Sequence, residues 1–386
     1  MDRVIYLDNN ATTKVAEEVR DAILPFLNDK YGNPSSMHYI GAEAASAVEN
    51  AREQVASLIN ADPLEIVFTG CGTESDNFAI QGILKAYPQK RHIVTTKVEH
   101  PAVLEQCKEL KRLGYNVTFL GVDENGLLDI EEYKNSIRDD TAIVSIMWAN
   151  NETGVIFPVK ELADIAKKRG TIFHTDAIQA ASKITIDMSS NSIDLLSISG
   201  HKFHAPKGIG VLYIRKDTKI RNLLIGGHQE RGRRAGTENL TGIVGIGEAC
   251  KLAKQNMNEE IIYITKLRDR LQQGILQKIP KVRINGALDK RLPNTLNVSF
   301  EGVEGESVLL LLSEDGICAS TGSACTSGSL EPSHVLKTMK ISEMLAFGVI
   351  RFSLSRYNTE EEIDYTLSVL PGIIEKLRKI SPYWKG

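Results

Sequence analysis

In the stretch SISGHKFHAPKGIG, Lys202 follows the β-type run DLLSIS and the small polar turn Ser199-Gly200-His201. An amine at a strand end is either a solvated surface charge or a desolvated group. In the second case burial lowers its pKa, and it can form a Schiff base with a carbonyl compound. Four other apolar runs end on polar residues that bear on the choice. HTDAIQA (174–180) puts Asp176 at the end of an apolar strand and Gln179 three residues further on. A carboxylate buried there needs a cationic partner. VEHPAV puts His100 before a proline, a position open to a structural as well as a catalytic histidine. WANNETG (148–154) offers the amides of Asn150 and Asn151, which suit either a turn or a hydroxyl or phenolate ligand. GCGTESDN opens a helix with Gly72 and Thr73. Their N–H groups and hydroxyl fit an anion and equally fit ordinary helix capping.

One small molecule answers all of these groups. A protonated pyridine nitrogen satisfies Asp176, an aldehyde satisfies Lys202, and an aromatic ring stacks on His100. A phosphate is held by Gly72 and Thr73, with Ser199 and His201 as further donors. Pyridoxal 5'-phosphate carries every one of these features, and Asp is the established partner of its pyridinium. On that convergence Lys202 is read as a cofactor anchor.

The elements that position these residues follow from periodicity. Helical spacing marks 14–30 and 41–61, separated by the Gly/Pro/Ser loop YGNPSSMH. Beyond them the runs EIVFTG, HIVTTK, NVTFLGV, AIVSIMWA, TIFHTDA, LLSIS and GVLYI read as strands, with helices near 74–86, 101–113, 129–138 and 158–169 between most of the first five. Runs apolar on both sides suit a mostly parallel sheet covered by helices on both faces, an α/β fold that binds ligands at the carboxyl ends of its strands. The stretch TGIVGIGEACKLAKQNM precedes a charged helix expected from about Asn258 to Gln277; its glycines read as close helix packing, since no strand runs into them. The last third, with LPNTLNVSFEGVEG, SVLLLLSED, ICAS, VIRFSLS and TEEEIDYTLSVLPGIIEKLR, has a β-α-β-β-α order and suggests a smaller α+β domain.

The chain has 386 residues, 42% hydrophobic and 25% charged, with a net charge of −3. Such a balance gives no general attraction to nucleic acid or to an anionic membrane. No apolar run approaches the roughly 18 residues of a membrane span, and the N-terminus lacks an apolar signal core, so a cytoplasmic enzyme is expected. Five cysteines, none in a C-x-x-C pair, make no disulfide framework, and no zinc spacing accompanies the eight histidines, so no resident metal is expected. One cysteine stands out. Cys325 lies in ASTGSACTSGSLEPSH, a loop of small residues without apolar periodicity, where a thiol is expected to be exposed and is either incidental or a nucleophile.

From LDNNATT and YGNPSS through GTESDN, EHPAV, WANNETG, HTDAIQ, SGHKFHAPKGIG, GGHQERGRRAGTEN, STGSACTSGSLEPSH and RFSLSRYNTEEEID, the chain resembles the class V, fold-type I pyridoxal-phosphate enzymes. Specifically it resembles the cysteine desulfurases of the NifS/IscS group, on the NifS side. The resemblance implies a fold-type I transferase with a large cofactor-binding domain at 14–258. It also implies a small domain built from 1–13 and 259–386 that carries the catalytic cysteine loop. In that family pattern Lys202 binds the cofactor covalently, His100 stacks on its ring and shuttles protons, and Asp176 pairs with the pyridinium. Gln179 and Asn151 lie near the phenolic oxygen, and Gly72, Thr73, Ser199 and His201 hold the phosphate. Thr237 reaches the phosphate of the partner subunit in a homodimer, and Arg351 clamps the substrate carboxylate, with Arg356 the weaker candidate. Cys325 is the nucleophile that takes sulfur from L-cysteine as a persulfide, leaves L-alanine, and passes the sulfur to an iron–sulfur scaffold protein, as in nitrogenase maturation. Its thiolate could ligate a cluster transiently during transfer. A selenocysteine lyase or a small-amino-acid aminotransferase would share Lys202 and Asp176, but an aminotransferase has no use for Cys325. A non-catalytic scaffold would need none of Lys202, Asp176 and His100 together.

Overall fold

In the computed structural model, residues 4–321, 332–382 and Trp384 are described. Strand β1 (Ile5–Tyr6) lies apart from the main sheet. Strands β2 (Ile66–Thr69), β3 (His92–Thr96), β4 (Asn116–Leu120), β5 (Thr141–Ser145), β6 (Ile172–Asp176), β7 (Leu195–Ser199) and β8 (Gly210–Ile214) form a seven-stranded sheet in the order β2-β8-β7-β6-β5-β3-β4. The five strands from β3 to β7 pair in parallel, while β8 is antiparallel to both β7 and β2. Strand β2 therefore points the same way as those five, and β8 alone is reversed.

The two-sided apolar runs take their helices as the sequence predicts. Val67, Ile93, Ile143, Leu195 and Leu212 pack on one face, with Phe78 and Ile83 of helix Gly72–Ala86 and Val103 and Leu110 of helix Pro101–Arg112. Their strand neighbours Phe68, Val94, Val144, Leu196 and Val211 face the other way, onto Val48 and Val55 of helix Tyr39–Ile59 and Leu162 of helix Val159–Lys168. Alternate residues of one strand thus serve opposite cores, as a pleated backbone requires. With both faces covered, the chemistry is left to the sheet's carboxyl edge. The fold is the expected α/β layering.

One helix departs from expectation. Leu240–Lys278 is continuous over 39 residues, about 58 Å at ~1.5 Å per residue, where the sequence reads as two stretches meeting near Asn258. The change of composition marks a change of partner, not a break. Leu240, Ile243, Ile246 and Met257 belong to the core beneath the large sheet, whereas Ile264, Leu267, Leu271 and Ile275 belong to a second core. The early glycines are packing positions, as read: a Cβ on Gly245 would lie 2.7 Å from Pro206 Cδ, and one on Gly247 2.7 Å from Ala51.

The second core surrounds a three-stranded antiparallel sheet, β12 (Val349–Ser353), β10 (Thr295–Phe300) and β9 (Val282–Ile284). The expected order of strands and helices is present, with differences. Strand β9 is too short to show a period. Strand β11 (Ile317–Cys318) leaves that sheet and pairs in parallel with β1. Two short helices, His334–Thr338 and Glu343–Phe347, precede β12 and pack Val335, Leu336 and Met339 into the large core. Among the described residues no helix is long and apolar enough to cross a membrane.

Candidate active site

Because β2, β3, β5, β6 and β7 share a direction, their carboxyl ends meet at one edge. There a cavity of about 340 Å³ is lined by Gly72, Thr73, His100, Asn151, Asp176, Gln179, Ser199, His201, Lys202 and Arg351. Ten residues singled out from sequence are thus brought together. Thr237 is not among them: it is exposed, in the segment before helix Leu240–Lys278. Cys325 lies outside the described residues.

One end of the cavity is made for an anion. Cys71, the residue capping helix Gly72–Ala86, is extended and gives its first turn no side-chain hydrogen bond. The first-turn N–H groups and the positive end of the helix therefore open into the cavity. Glycine makes this approach easy: a Cβ at position 72 would stand 2.2 Å from Ile178 Cδ1 and 3.3 Å from Ser199 Cβ, so the isoleucine side chain would have to move aside. Ser199 ends β7 and is buried. His201 Nδ1 lies 3.2 Å from Thr12 Oγ1. Burial, with Lys202 and Lys207 nearby, lowers that imidazole to about 4, so it is neutral at pH 7.

At the other end stand the titrating groups. Lys202 Nζ donates to the carbonyl oxygens of Asn10 (2.7 Å) and Ala11 (2.8 Å). Asp176, the last residue of β6, is buried and accepts from the Ile178 N–H at 2.9 Å. Burial pushes its carboxyl up to about 6; the Ile178 N–H and Lys202 hold it back. A cation brought against it would lower it further, as a buried carboxylate requires. His100 Nδ1 accepts from the Ala102 N–H at 3.2 Å, so the neutral ring carries its proton on Nε2. Burial, then Lys202 and His334, lowers His100 to about 4. The two asparagines of WANNETG divide the alternatives between them. Asn150 Oδ1 accepts from the Glu152 and Thr153 N–H groups and is the turn residue, whereas Asn151 lines the cavity.

Arg351 arrives from the second sheet. Its side chain is 3% exposed, donates to Asp8 Oδ1 at 2.7 Å and to the Asn151 carbonyl at 3.0 Å, and keeps Nε without a partner among the described residues. Arg356 instead pairs with Glu260 at 2.9 Å and lines a separate cavity of about 40 Å³.

Three groups near the cavity were missed from sequence as site residues. Asn10 receives both Lys202 and Gln179 on its carbonyl and donates from its amide to Thr295. Asp8 anchors Arg351, and Lys183 donates to Gln179. Asp8 and Asn10 lie in the polar run LDNNATT, an early signal; for Lys183 the signal is its place four residues after Gln179, a one-turn spacing.

The chain belongs to the Aminotransferase class-V family, whose model matches residues 5–366. Within that family its relatives are cysteine desulfurases. It is 58% identical over 380 residues to a cysteine desulfurase of Nostoc sp., covering 98% of this chain and 95% of that one. It is 54% identical to the cysteine desulfurase NifS of Azotobacter vinelandii over 383 residues, 99% of this chain and 95% of that one. A solved NifS-like protein superposes with a TM-score of 0.92 at 42% identity, covering 97% of this chain and 100% of the other.

Proposed function

We propose that this chain is a pyridoxal 5'-phosphate-dependent cysteine desulfurase that converts L-cysteine to L-alanine and carries the sulfur as a persulfide on Cys325. The observation that carries the reading is the placing of Lys202 and a buried Asp176 on one cavity with the uncapped start of helix Gly72–Ala86. The residues fit the cofactor. The helix start with Ser199 and His201 would hold the phosphate, Asp176 the pyridinium, Lys202 the aldehyde carbon, and His100 the ring face. When bound, the cofactor supplies an electron sink for the bonds at the substrate's Cα.

The chain's own residues do the rest. Arg351, which lines the cavity, takes the substrate carboxylate, while Asp8 and the Asn151 carbonyl hold its guanidinium in place. Lys202, once released, is the base at Cα, with the carbonyls of Asn10 and Ala11 keeping its amine on the cavity wall. His100, neutral and bearing its proton on Nε2, offers that N–H to the cavity as a hydrogen-bond donor. The Cys325 thiolate attacks the substrate sulfur: an S–S bond forms, the Cβ–S bond breaks, and its electron pair stays on carbon to become a C–H bond of alanine. Sulfur leaves as a persulfide, which suits delivery to an iron–sulfur scaffold, as in nitrogenase maturation. The working unit is a cytoplasmic homodimer in which the exposed Thr237 completes the partner's phosphate site. The small-domain assignment of 1–13 and 259–386 is supported by the second core, where Ile5 and Leu7 pack with Ile264, Leu296 and Phe352.

The reading is tested by incubating purified protein, cofactor and L-cysteine with a dithiol. Equimolar alanine and sulfide are expected; pyruvate and ammonia, or no turnover, would overturn it.

A further inference from the structure

Lys183 is half-buried, with its amine turned onto the interior, and has no part in the chemistry above. It lines the small cavity behind Lys202. Burial of its amine, then the charges of Lys202 and Arg351, lowers it to about 7. No carboxylate pairs with it among the described residues. Its Nζ donates to Gln179, at 3.2 Å to the backbone oxygen and 3.2 Å to Oε1. A lysine set against two other cations for the sake of one amide calls for a reason.

The amide supplies it. A glutamine side chain turned by half a revolution keeps its shape but exchanges donor for acceptor, so its neighbours decide which end is which. Here the Asn10 carbonyl, which only accepts, lies 3.0 Å from Nε2, and the Lys183 amine lies on Oε1. A turned amide would put an oxygen against the Asn10 carbonyl and an N–H against the lysine. The observed orientation leaves one N–H of Nε2 without a partner among the described residues, on a side chain that lines the cavity. The Asn10 carbonyl also receives Lys202 at 2.7 Å, a contact that changes whenever Lys202 reacts. Lys183 is the partner that stays.

We propose that Lys183 is a positioning residue: it locks the Gln179 amide so that an N–H, not the carbonyl, is offered to the phenolic oxygen of the bound cofactor. This rests on the cofactor reading above. A donor at that oxygen favours its charged form, and the chromophore then gives up its proton at lower pH. Loss of the donor raises the midpoint.

The test is the absorbance titration of the cofactor bound to the purified protein. Lys183→Met should move the midpoint upward by about one pH unit, and Lys183→Arg, which keeps a donor, should return it toward wild type. Gln179→Leu should give the same rise, and the double variant no more than either alone, because one hydrogen bond is being removed in each case. Lys183→Ala serves if Lys183→Met does not fold. A Lys183→Met midpoint equal to wild type, or single shifts that add in the double variant, would overturn the proposal while leaving the cofactor reading intact. A wild-type protein that binds pyridoxal phosphate without a titrating band would overturn both.

Discussion

The seven-stranded and three-stranded sheets feed the same cavity by different routes. From the large sheet the groups arrive because strands stop: Asp176 and Ser199 are the last residues of β6 and β7, and Gly72, His100 and Asn151 follow shortly after β2, β3 and β5. From the small sheet a single group arrives in mid-strand. Arg351 sits opposite Asn297 in the ladder of β10 and β12, between Ile350 and Phe352 of the second core. A strand end needs only topology to bring a polar side chain to the edge. A charge in mid-strand needs its own partner, and Asp8 provides it. Groups at the large sheet's edge should therefore fail one at a time, while Arg351 should fail together with its ion pair.

The largest effect is expected at the strand ends. Lys202→Ala should lower kcat by about 10⁴-fold or more, since anchor and base are lost together; a decrease under tenfold in steady-state assays would refute the assignment. Next comes the mid-strand charge. Arg351→Lys should raise KM for L-cysteine by about 10- to 100-fold with a smaller change in kcat, because the ammonium lacks the planar fork. An unchanged KM would shift the carboxylate site elsewhere.

Smaller effects separate the edge from its support. Glu99, wholly buried behind β3, accepts from Thr96 Oγ1 at 2.7 Å and from the Met147 N–H at 3.1 Å. Burial pushes it up to about 8 against the usual 4.5. The folded chain thus holds a proton that the unfolded chain gives up, and the stability this brings is lost as pH rises toward 8. Comparing Glu99→Gln with wild type cancels the other titrating groups. The variant should gain on wild type by roughly 1 kcal/mol per pH unit between about 6.5 and 8 in denaturant unfolding. A constant difference would show Glu99 already ionised. The least effect is expected at Arg356, whose pair with Glu260 is only partly buried. Arg356→Gln should cost under about 1 kcal/mol and leave KM for L-cysteine within about twofold; a larger rise in KM would make it, rather than Arg351, the clamp.

The same contrast governs what is legible in the sequence. Apolar runs followed by polar residues are a local signal, so the amino-acid order alone places Asp176, His100 and Lys202 at a common edge. Asn150 and Asn151 cannot be told apart that way, because which amide closes a turn depends on the path after β5. The contacts of Asp8 with Arg351 and of Asn10 with Gln179 and Lys202 join positions far apart in the chain, and no local pattern carries them, whereas Lys183 reaches Gln179 across only four residues. The break expected near Asn258 fails for a related reason: composition registers the neighbour a helix packs on as well as where the helix ends.

What separates this reading from any other enzyme with the same cavity is Cys325. Purified Cys325→Ala should bind pyridoxal phosphate with the wild-type absorbance yet release neither sulfide nor transferable sulfur from L-cysteine in the presence of a dithiol. Sulfide released by that variant at the wild-type rate would contradict the account.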